Sequence, residues 1–308
     1  MQRDILANMK NNIFAIIGAA GKVGYSTSLK LREADVPVRA ILRDATKANR
    51  LSDLGCEVAL ADLQDSVALG RAIANADTVQ VICPPPPQAE DAVGEMQRSI
   101  ESLAEALERA KPSRVLVISD YGAHISEGVG MPTMFHLFEE RLRRLEMPKI
   151  FLRSAEHMEG WSAFIPAADA TGILPSLHHP VEGKFPTVSA HDVGIIAADL
   201  LLSENIVIDE QIVHAESHHR YSANDVAAAL SELLDRKITA QALPRSQWQE
   251  SLERGLSASA ARLLVELYDA HNKGGLIDVE PNQGEIRYGT IELIDALRPF
   301  VTTMVNEK

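Results

Sequence analysis

The sequence predicts an α/β protein built around a doubly wound parallel sheet, with a smaller mixed C-terminal domain. Between Ile13 and Arg153, short apolar runs typical of strands alternate with helical patterns. Such alternation implies parallel strands joined by right-handed crossovers. The first apolar run ends at Gly18, and Gly21 and Gly24 follow at three-residue steps before a helical pattern begins. That context predicts the dinucleotide-binding turn of a Rossmann fold.

The six predicted strands of this sheet are short and β-branched-rich. They cover residues 13–17, 36–42, 57–61, 78–83, 114–119 and 150–153. The longest helix between them is predicted over residues 88–110, because apolar residues recur there on one helical face. Ligands of such a sheet lie at the carboxyl ends of the strands, so the residues just after each strand are the candidates for binding.

Beyond residue 153 the pattern becomes less regular. Residues 187–201 predict a short strand and a helix that Asp192 can begin, and Ser222 and Asp225 form a capping box that opens another helix. A short strand is predicted over 238–243, a loop-rich stretch over 271–290, and a final helix through Val301. We therefore assign residues 1–155, together with about 185–215, to a nucleotide-binding domain, and residues 156–184 and 216–308 to a smaller substrate or lid domain.

The glycine turn and the end of the second strand together predict a preference for NADP(H) over NAD(H). The turn presents backbone N–H groups and a helix N-terminus to the pyrophosphate, through Gly18, Ala20, Gly21, Lys22, Val23 and Gly24. Arg43 follows the second strand, and Lys47 and Lys22 add positive charge that suits an additional phosphate. Asp44 is open to two interpretations: it accepts hydrogen bonds from an NAD ribose, or it caps the helix predicted over 45–54.

Three other strand ends supply further candidate cofactor contacts. They are Asp62, Leu63, Cys83, Pro84 and Ser119. Asp62 either hydrogen-bonds the adenine amino group or begins a helix together with Asp65. The "CPPPP" stretch that starts at Cys83 is a rigid segment without backbone donors in its prolines, and it is also explained as a stiff loop before the long helix.

Composition excludes several classes of protein. The formal net charge of −13 argues against nonspecific binding to nucleic acid or to an anionic membrane, so a regulatory role would need a protein partner. Two cysteines exclude a disulfide framework, and residues 1–12 lack the apolar core of a secretory signal, which predicts a cytoplasmic protein. No metal site is predicted, because His214 and His218 fall in a strand pattern that would separate them by about 13 Å.

Four segments resemble the NmrA-like group of atypical short-chain dehydrogenase/reductases. They are "GAAGKVG", "ILRDATKANRL", "EVALADLQD" and "LPRSQWQESLERGLSASAARLLVELYDAHNKGGLIDVEP". The resemblance implies a Rossmann domain whose small C-terminal domain closes a cleft over the nicotinamide, with Arg43 holding the 2′-phosphate of NADP. Members range from NAD(P)H-dependent reductases of quinones, dyes, aromatic ethers and imines to redox-sensing regulators.

The usual proton-relay pair of short-chain reductases is absent from the sequence. That pair is a tyrosine followed four residues later by a lysine, which lowers the phenol's pKa. None of the five tyrosines has such a lysine. Counting back from "MPKIFLR" places Met131 and Phe135 at the two positions, and a shift of one residue places Pro132 and His136 there.

Three other side chains are candidate proton donors, each with a simpler structural explanation. Tyr121 follows the fifth strand but also suits a cleft-wall aromatic, and His136 falls in the first turn of the next helix, where it suits a helix-start residue. His157 follows the sixth strand but could also pack on Trp161. Glu139 and Glu140 lie four residues before Arg143 and Arg144 and predict a solvated, ion-paired helix face.

Two functions follow from these observations. The first is an NADPH-dependent reductase of a small aromatic, quinoid or conjugated acceptor bound between the two domains, possible as a homodimer. The second is an NADP(H) sensor that acts on a regulatory protein partner. The missing proton-relay pair favours the sensor, and the complete C-terminal segment favours the enzyme.

Overall fold

The computed structural model describes residues 12–203 and 209–306 of the chain. The prediction that residues 1–12 contain no secretory signal concerns a segment of which residues 1–11 lie outside the described residues. In the described parts, no helix has the length and apolar character that crossing a membrane requires.

Twelve named strands alternate with helices in the described chain. The strands are β1 (Phe14–Ile17), β2 (Val38–Leu42), β3 (Glu57–Leu60), β4 (Thr78–Ile82), β5 (Arg114–Asp120), β6 (Lys149–Ser154), β7 (Glu156–His157), β8 (Ile173–Ser176), β9 (Thr187–Val188), β10 (Glu210–Ser217), β11 (Thr239–Ala242) and β12 (Glu285–Gly289). The α-helices are α1 (Lys22–Glu33), α2 (Ala48–Ser52), α3 (Ser66–Ala72), α4 (Ala92–Ala110), α5 (Met131–Arg143), α6 (Ile165–Thr171), α7 (Ala190–Leu202), α8 (Ala223–Leu233), α9 (Trp248–Glu253), α10 (Ala258–Lys273) and α11 (Leu293–Asn306).

Eight of these strands form one parallel sheet in the order β12-β10-β6-β5-β4-β1-β2-β3. Phe14 of β1 pairs with Val38 of β2 on one side and with Thr78 of β4 on the other. Strands β2 and β3 thus extend the sheet on one side of β1, and β4 and the later strands extend it on the other, so the strand order reverses between β1 and β4. This arrangement confirms the predicted doubly wound fold, and the reversal is where such sheets bind ligands.

Helices cover both faces of the sheet because its central strands are apolar on both sides. On one face, α1 and α7 pack through Leu31 and Val193 onto strand residues such as Ile16. On the other face, α3, α4 and α5 form a second core that includes Leu103 and Phe138. The predicted helical face of α4 is confirmed, but the helix begins at Ala92 and not near Gln88, since the Asp91 side chain accepts from the Gly94 N–H at 2.9 Å and caps it there.

A smaller lobe has its own apolar core. Met158, Ile165, Val226 and Leu297 pack together there, where α6, α8 and α11 lie beside the two-stranded β11–β8 sheet. The capping box of Ser222 and Asp225 is confirmed at the start of α8.

Two predictions for the C-terminal half were wrong in detail. Helix α7 is capped by Ser189, whose hydroxyl accepts from the His191 N–H at 3.2 Å. Asp192 instead accepts from the Ile291 N–H at 2.8 Å. The stretch predicted to be loop-rich contains β12, which pairs with β10 at the edge of the large sheet. The division of the chain into two domains stays a prediction. Strand β12 joins the large sheet, although its residues fall in the range 216–308 that was assigned to the smaller domain.

Candidate active site

The turn between β1 and α1 has a geometry that only glycine fits at two positions. Gly18 has a φ of +76°, in the left-handed region that other residues rarely adopt. A Cβ on Gly24 would lie 2.5 Å from the Gly18 carbonyl oxygen. Helix α1 therefore starts tight against the turn, with Gly21 and Lys22 exposed at its N-terminus.

The start of α1 is suited to a phosphate group. In the described structure, no side chain caps the helix at Gly21, and its first turn holds no acidic residue. Uncapped backbone N–H groups and the positive end of the helix dipole bind anions. The turn thus fits the pyrophosphate of a nicotinamide dinucleotide, with Ala20, Lys22 and Val23 as the neighbouring residues.

The end of β2 presents positive charge to the same edge of the sheet. Arg43 and Lys47 are both exposed. Asp44 caps the short 3₁₀ turn Ala45–Lys47, where it accepts from the Thr46 N–H at 3.0 Å and the Thr46 hydroxyl at 2.6 Å. These hydrogen bonds hold the pKa of the Asp44 carboxyl below its usual value. Of the two interpretations of Asp44, the structure favours the cap.

The remaining candidate cofactor residues occupy different settings. Asp62 is exposed and accepts from the Gln64 N–H at 2.9 Å, and Leu63 is half-buried against the core. The Cys83 thiol is buried and faces the Met96 carbonyl at 3.9 Å, so only its backbone can reach a ligand, and burial raises its pKa to about 12. Pro84 and Ser119 line a cleft, although the Ser119 hydroxyl donates to Glu139 at 2.6 Å.

This cleft is a largely apolar cavity of about 710 Å³ at the carboxyl ends of β4, β5 and β6. The loop after β6, helix α6 and helix α10 form its other walls. Its lining includes Ile82, Ile118, Met131, Phe135, Phe164, Leu252, Leu256, Leu264, Leu267 and Ile277. A cavity of this size and character suits a small aromatic molecule.

Helix α5 turns Met131 and Phe135 into the cleft. The sequence analysis aligned these two residues, without a gap, with the tyrosine and the lysine of the usual proton-relay pair. The cleft therefore carries two apolar side chains at those positions. His136 lies in the second turn of α5, not the first, and its Nδ1 is 2.9 Å from the Ala123 carbonyl oxygen.

Tyr121 does not line the cleft. Its side chain is 1% exposed and packs in the sheet core, with its ring edge-on to His214 at 5.5 Å between centroids. Burial, reinforced by the Glu216 carboxylate, raises the pKa of the phenol far above its usual value. This position argues against a role as a proton donor.

His157 lines the cleft directly after β6. Its Nε2 lies 3.3 Å from the Ser154 hydroxyl. Burial and the charge of Lys22 lower the pKa of the imidazole, and they outweigh the carboxylates of Glu159 and Glu156, which raise it. His157 is therefore neutral at pH 7, and of the three candidate proton donors it is the one that faces the cleft.

A polar cluster in the cleft was missed by the sequence analysis. Glu156 receives a hydrogen bond from His178 Nε2 at 2.9 Å and has His271 Nε2 at 3.8 Å. Glu156, Tyr268 and His271 all line the cleft, as does Asp120 at the end of β5. Asp120 and Glu156 could have been found from their positions at or just past strand ends.

Glu139 is not part of a solvated helix face. Its side chain is fully buried and bonds Arg153 through Nε at 2.9 Å and Nη2 at 2.6 Å. It also accepts from Arg143 at 3.0 Å, whereas the half-exposed Glu140 pairs with Arg143 at 2.8 Å. The prediction failed because Arg153 lies on β6 and its position beneath α5 is a tertiary effect.

The described residues 12–203 and 209–306 contain no group of three metal-ligating side chains placed around one point. His214 is buried in β10 and its Nε2 accepts from the Glu280 N–H at 3.3 Å. His218 instead stacks on the Tyr288 ring at 4.7 Å between centroids. The two histidines thus have separate environments.

Known proteins with a similar sequence are reductases. The sequence profile of the NmrA-like family matches residues 9–288. The NAD(P)H azoreductase of Xenophilus azovorans is 24% identical over 255 residues, which span 82% of this chain and 85% of that protein. Quinone oxidoreductase 2 of Escherichia coli (strain K12) is 23% identical over 270 residues, which span 86% and 90%.

Solved structures of reductases share the fold of this chain. The triphenylmethane reductase of Citrobacter sp. matches with a TM-score of 0.77 at 20% identity, covering 94% of this chain and 99% of that one. The NADPH-dependent quinone oxidoreductase of Escherichia coli in complex with NADPH matches with a TM-score of 0.76 at 23% identity, covering 95% and 100%. With the family profile spanning most of the sequence, the chain belongs to the NmrA-like family.

Proposed function

We propose that this protein is an NADPH-dependent reductase that transfers hydride to a small aromatic or quinoid acceptor. The observation that carries the proposal is the apolar cleft of about 710 Å³, which opens at the strand ends next to the glycine turn. The relatives named above include reductases of quinones, azo compounds and triphenylmethane dyes. Flat aromatic molecules would bury their faces against Phe135, Phe164 and the leucines of α10.

The residues of the chain divide between holding the cofactor and holding the acceptor. Gly18, Gly21 and Gly24 shape the turn for the pyrophosphate, and Arg43 with Lys47 would pair with the 2′-phosphate. When bound, the reduced nicotinamide supplies the hydride. The apolar walls around Met131 and Phe135 would shield a bound acceptor from much of the solvent, which favours hydride transfer over side reactions.

Replacing Arg43 with alanine is expected to weaken NADPH binding by about 10- to 100-fold and to change NADH binding little, because a charge-assisted contact with a phosphate is lost. Fluorescence titration of the purified protein with each cofactor measures both affinities. Arg71→Ala is the matched control, since Arg71 lies in α3 away from the glycine turn. Equal losses for NADPH and NADH in Arg43→Ala would contradict the assignment of Arg43 to the 2′-phosphate.

Turnover separates the reductase from the sensor. NADPH oxidation is measured with a quinone, an azo dye and a triarylmethane dye as acceptors, and the reductase predicts catalytic oxidation with at least one of them. The sensor gains support from one specific feature, the apolar pair Met131 and Phe135 in place of a proton-relay pair. It predicts selective NADPH binding without oxidation of the cofactor by any of these acceptors.

A further inference from the structure

Two carboxyl groups enter the same apolar cleft from neighbouring strands. Asp120 is the last residue of β5 and pairs in register with Ser154 of β6, and Glu156 follows two residues after Ser154. Both line the cleft and both are only partly accessible. They therefore lie side by side at the carboxyl edge of the sheet, beside the turn proposed to hold the cofactor.

The two carboxyl groups have different surroundings. Burial favours the neutral form of Glu156, but the charge of His178 and the hydrogen bond from its ring outweigh it and hold the pKa of Glu156 below its usual value. The charges of His271 and His157 act in the same direction as that of His178. Since nearby positive charge and a hydrogen bond stabilise the charged form of a carboxylate, Glu156 is ionised at neutral pH.

The surroundings of Asp120 favour its neutral form instead. Burial raises its pKa to about 8, and the charge of Glu156 acts in the same direction. Neighbouring carboxyl groups held in opposite protonation states are a recurrent source of acid catalysts at neutral pH. At pH 7 the Asp120 carboxyl thus carries a proton inside the cleft.

We propose that the Asp120 carboxyl donates the proton that a quinone or azo acceptor takes up together with hydride, and that Glu156 is a positioning residue. The proposal rests on the reductase function proposed above. The acceptor gains two electrons and one hydrogen as hydride from the reduced nicotinamide. The O–H bond of Asp120 breaks as a new O–H or N–H bond forms on the acceptor, and solvent returns a proton to the Asp120 carboxylate.

Other titratable groups that face the cleft are weaker donors. His157, from β7, is neutral because burial lowers its pKa. On α10, burial and Glu156 raise the pKa of Tyr268 well above 10, and burial lowers the pKa of His271 to about 4. Arg254, after α9, lines the cleft as a fixed positive charge. Asp120 is therefore the most acidic protonated group among the described residues of the cleft.

Asp120→Asn tests the proposal with two acceptors that differ in their need for a proton. A quinone needs hydride and a proton, whereas a cationic triarylmethane dye is neutralised by hydride alone. The variant is expected to lose about 100-fold or more in kcat for the quinone, the usual contribution of a general acid, while dye reduction stays close to that of the wild-type protein. Asp199→Asn, at an exposed position of α7, is the matched control.

The pH profile gives an independent prediction with a definite sign. An acid must be protonated to act, so quinone reduction by the wild-type protein is expected to be full below pH 8 and to fall as the pH rises through about 8. Dye reduction is expected to show no loss from this group. In Glu156→Gln, removal of the neighbouring charge should move the fall in quinone reduction to lower pH.

A titration without cofactor or acceptor measures the protonation state directly. Carbon-13 NMR of aspartate-labelled protein should show one carboxyl that titrates near pH 8 and that disappears in Asp120→Asn. If no aspartate titrates above pH 7, or if Asp120→Asn slows quinone and dye reduction equally, the donor role is contradicted while the reductase stands. Wild-type protein that reduces neither acceptor would contradict the reductase itself, and the donor role with it.

Discussion

Replacing Glu139 with alanine is expected to lower the free energy of unfolding by about 3 kcal/mol or more. Glu139 is fully buried between α5 and β6 and forms two hydrogen bonds with Arg153, whose side chain is 2% exposed. Without Glu139, Arg153 retains the Glu280 carboxylate but leaves its Nε and Nη2 donors buried without that partner. A buried charge that loses its main partner keeps its full desolvation cost.

Urea unfolding followed by circular dichroism measures this effect in the cofactor-free protein. Glu140→Ala is the matched control, because Glu140 is the next residue of α5 and pairs only with Arg143 at the surface. Its expected cost is about 0–1 kcal/mol. Equal losses in the two variants would show that Glu139 contributes no more than a surface ion pair.

Replacing Gly24 with alanine is expected to reduce NADPH affinity by at least about tenfold, since a loss of 1.4 kcal/mol in binding already gives that factor. The new Cβ would lie 2.5 Å from the Gly18 carbonyl oxygen and 2.8 Å from Ala19 Cα. Both are backbone atoms, so α1 must move away from the turn that is proposed to hold the pyrophosphate. Overpacking of this kind also destabilises a protein by about 1–3 kcal/mol.

Gly70→Ala is the control for this substitution. Its Cβ would meet only Ala106 Cα at 4.0 Å, an ordinary contact, and Gly70 lies within helix α3. NADPH affinity is expected to be unchanged, and stability to rise by about 0.5–1 kcal/mol because alanine suits a helix interior better than glycine. Titration of both variants with NADPH measures the two affinities. Unchanged NADPH affinity in Gly24→Ala would contradict the proposal that this turn binds the pyrophosphate.

The sheet could be predicted from the sequence because its signals are local. Alternating strand and helix patterns fix a parallel order, and Gly18, Gly21 and Gly24 mark the turn after β1. Strand β12 could not be predicted in the same way. It is a short edge strand, with Glu285, Arg287 and Tyr288 exposed, so it lacks the apolar run that identified the central strands.

The polar groups of the cleft were harder to predict because they meet only in the folded chain. Glu156 follows β6, His178 follows β8, and Tyr268 and His271 lie on α10, more than a hundred residues from Glu156 in the sequence. Strand-end positions could have indicated Asp120 and Glu156, but their opposite protonation states depend on burial and on His178. Sequence spacing carries neither of these quantities.

The most direct test of the reductase is a single-turnover experiment in which the protein saturated with NADPH is mixed with a quinone. The absorbance of the reduced nicotinamide is followed in time, with NADH and buffer as parallel reactions. We expect the bound NADPH to be oxidised, faster than NADH in the parallel reaction, and the quinol to form in equal amount. Bound NADPH that stays reduced with quinone, azo and triarylmethane acceptors alike would contradict the reductase and favour the sensor.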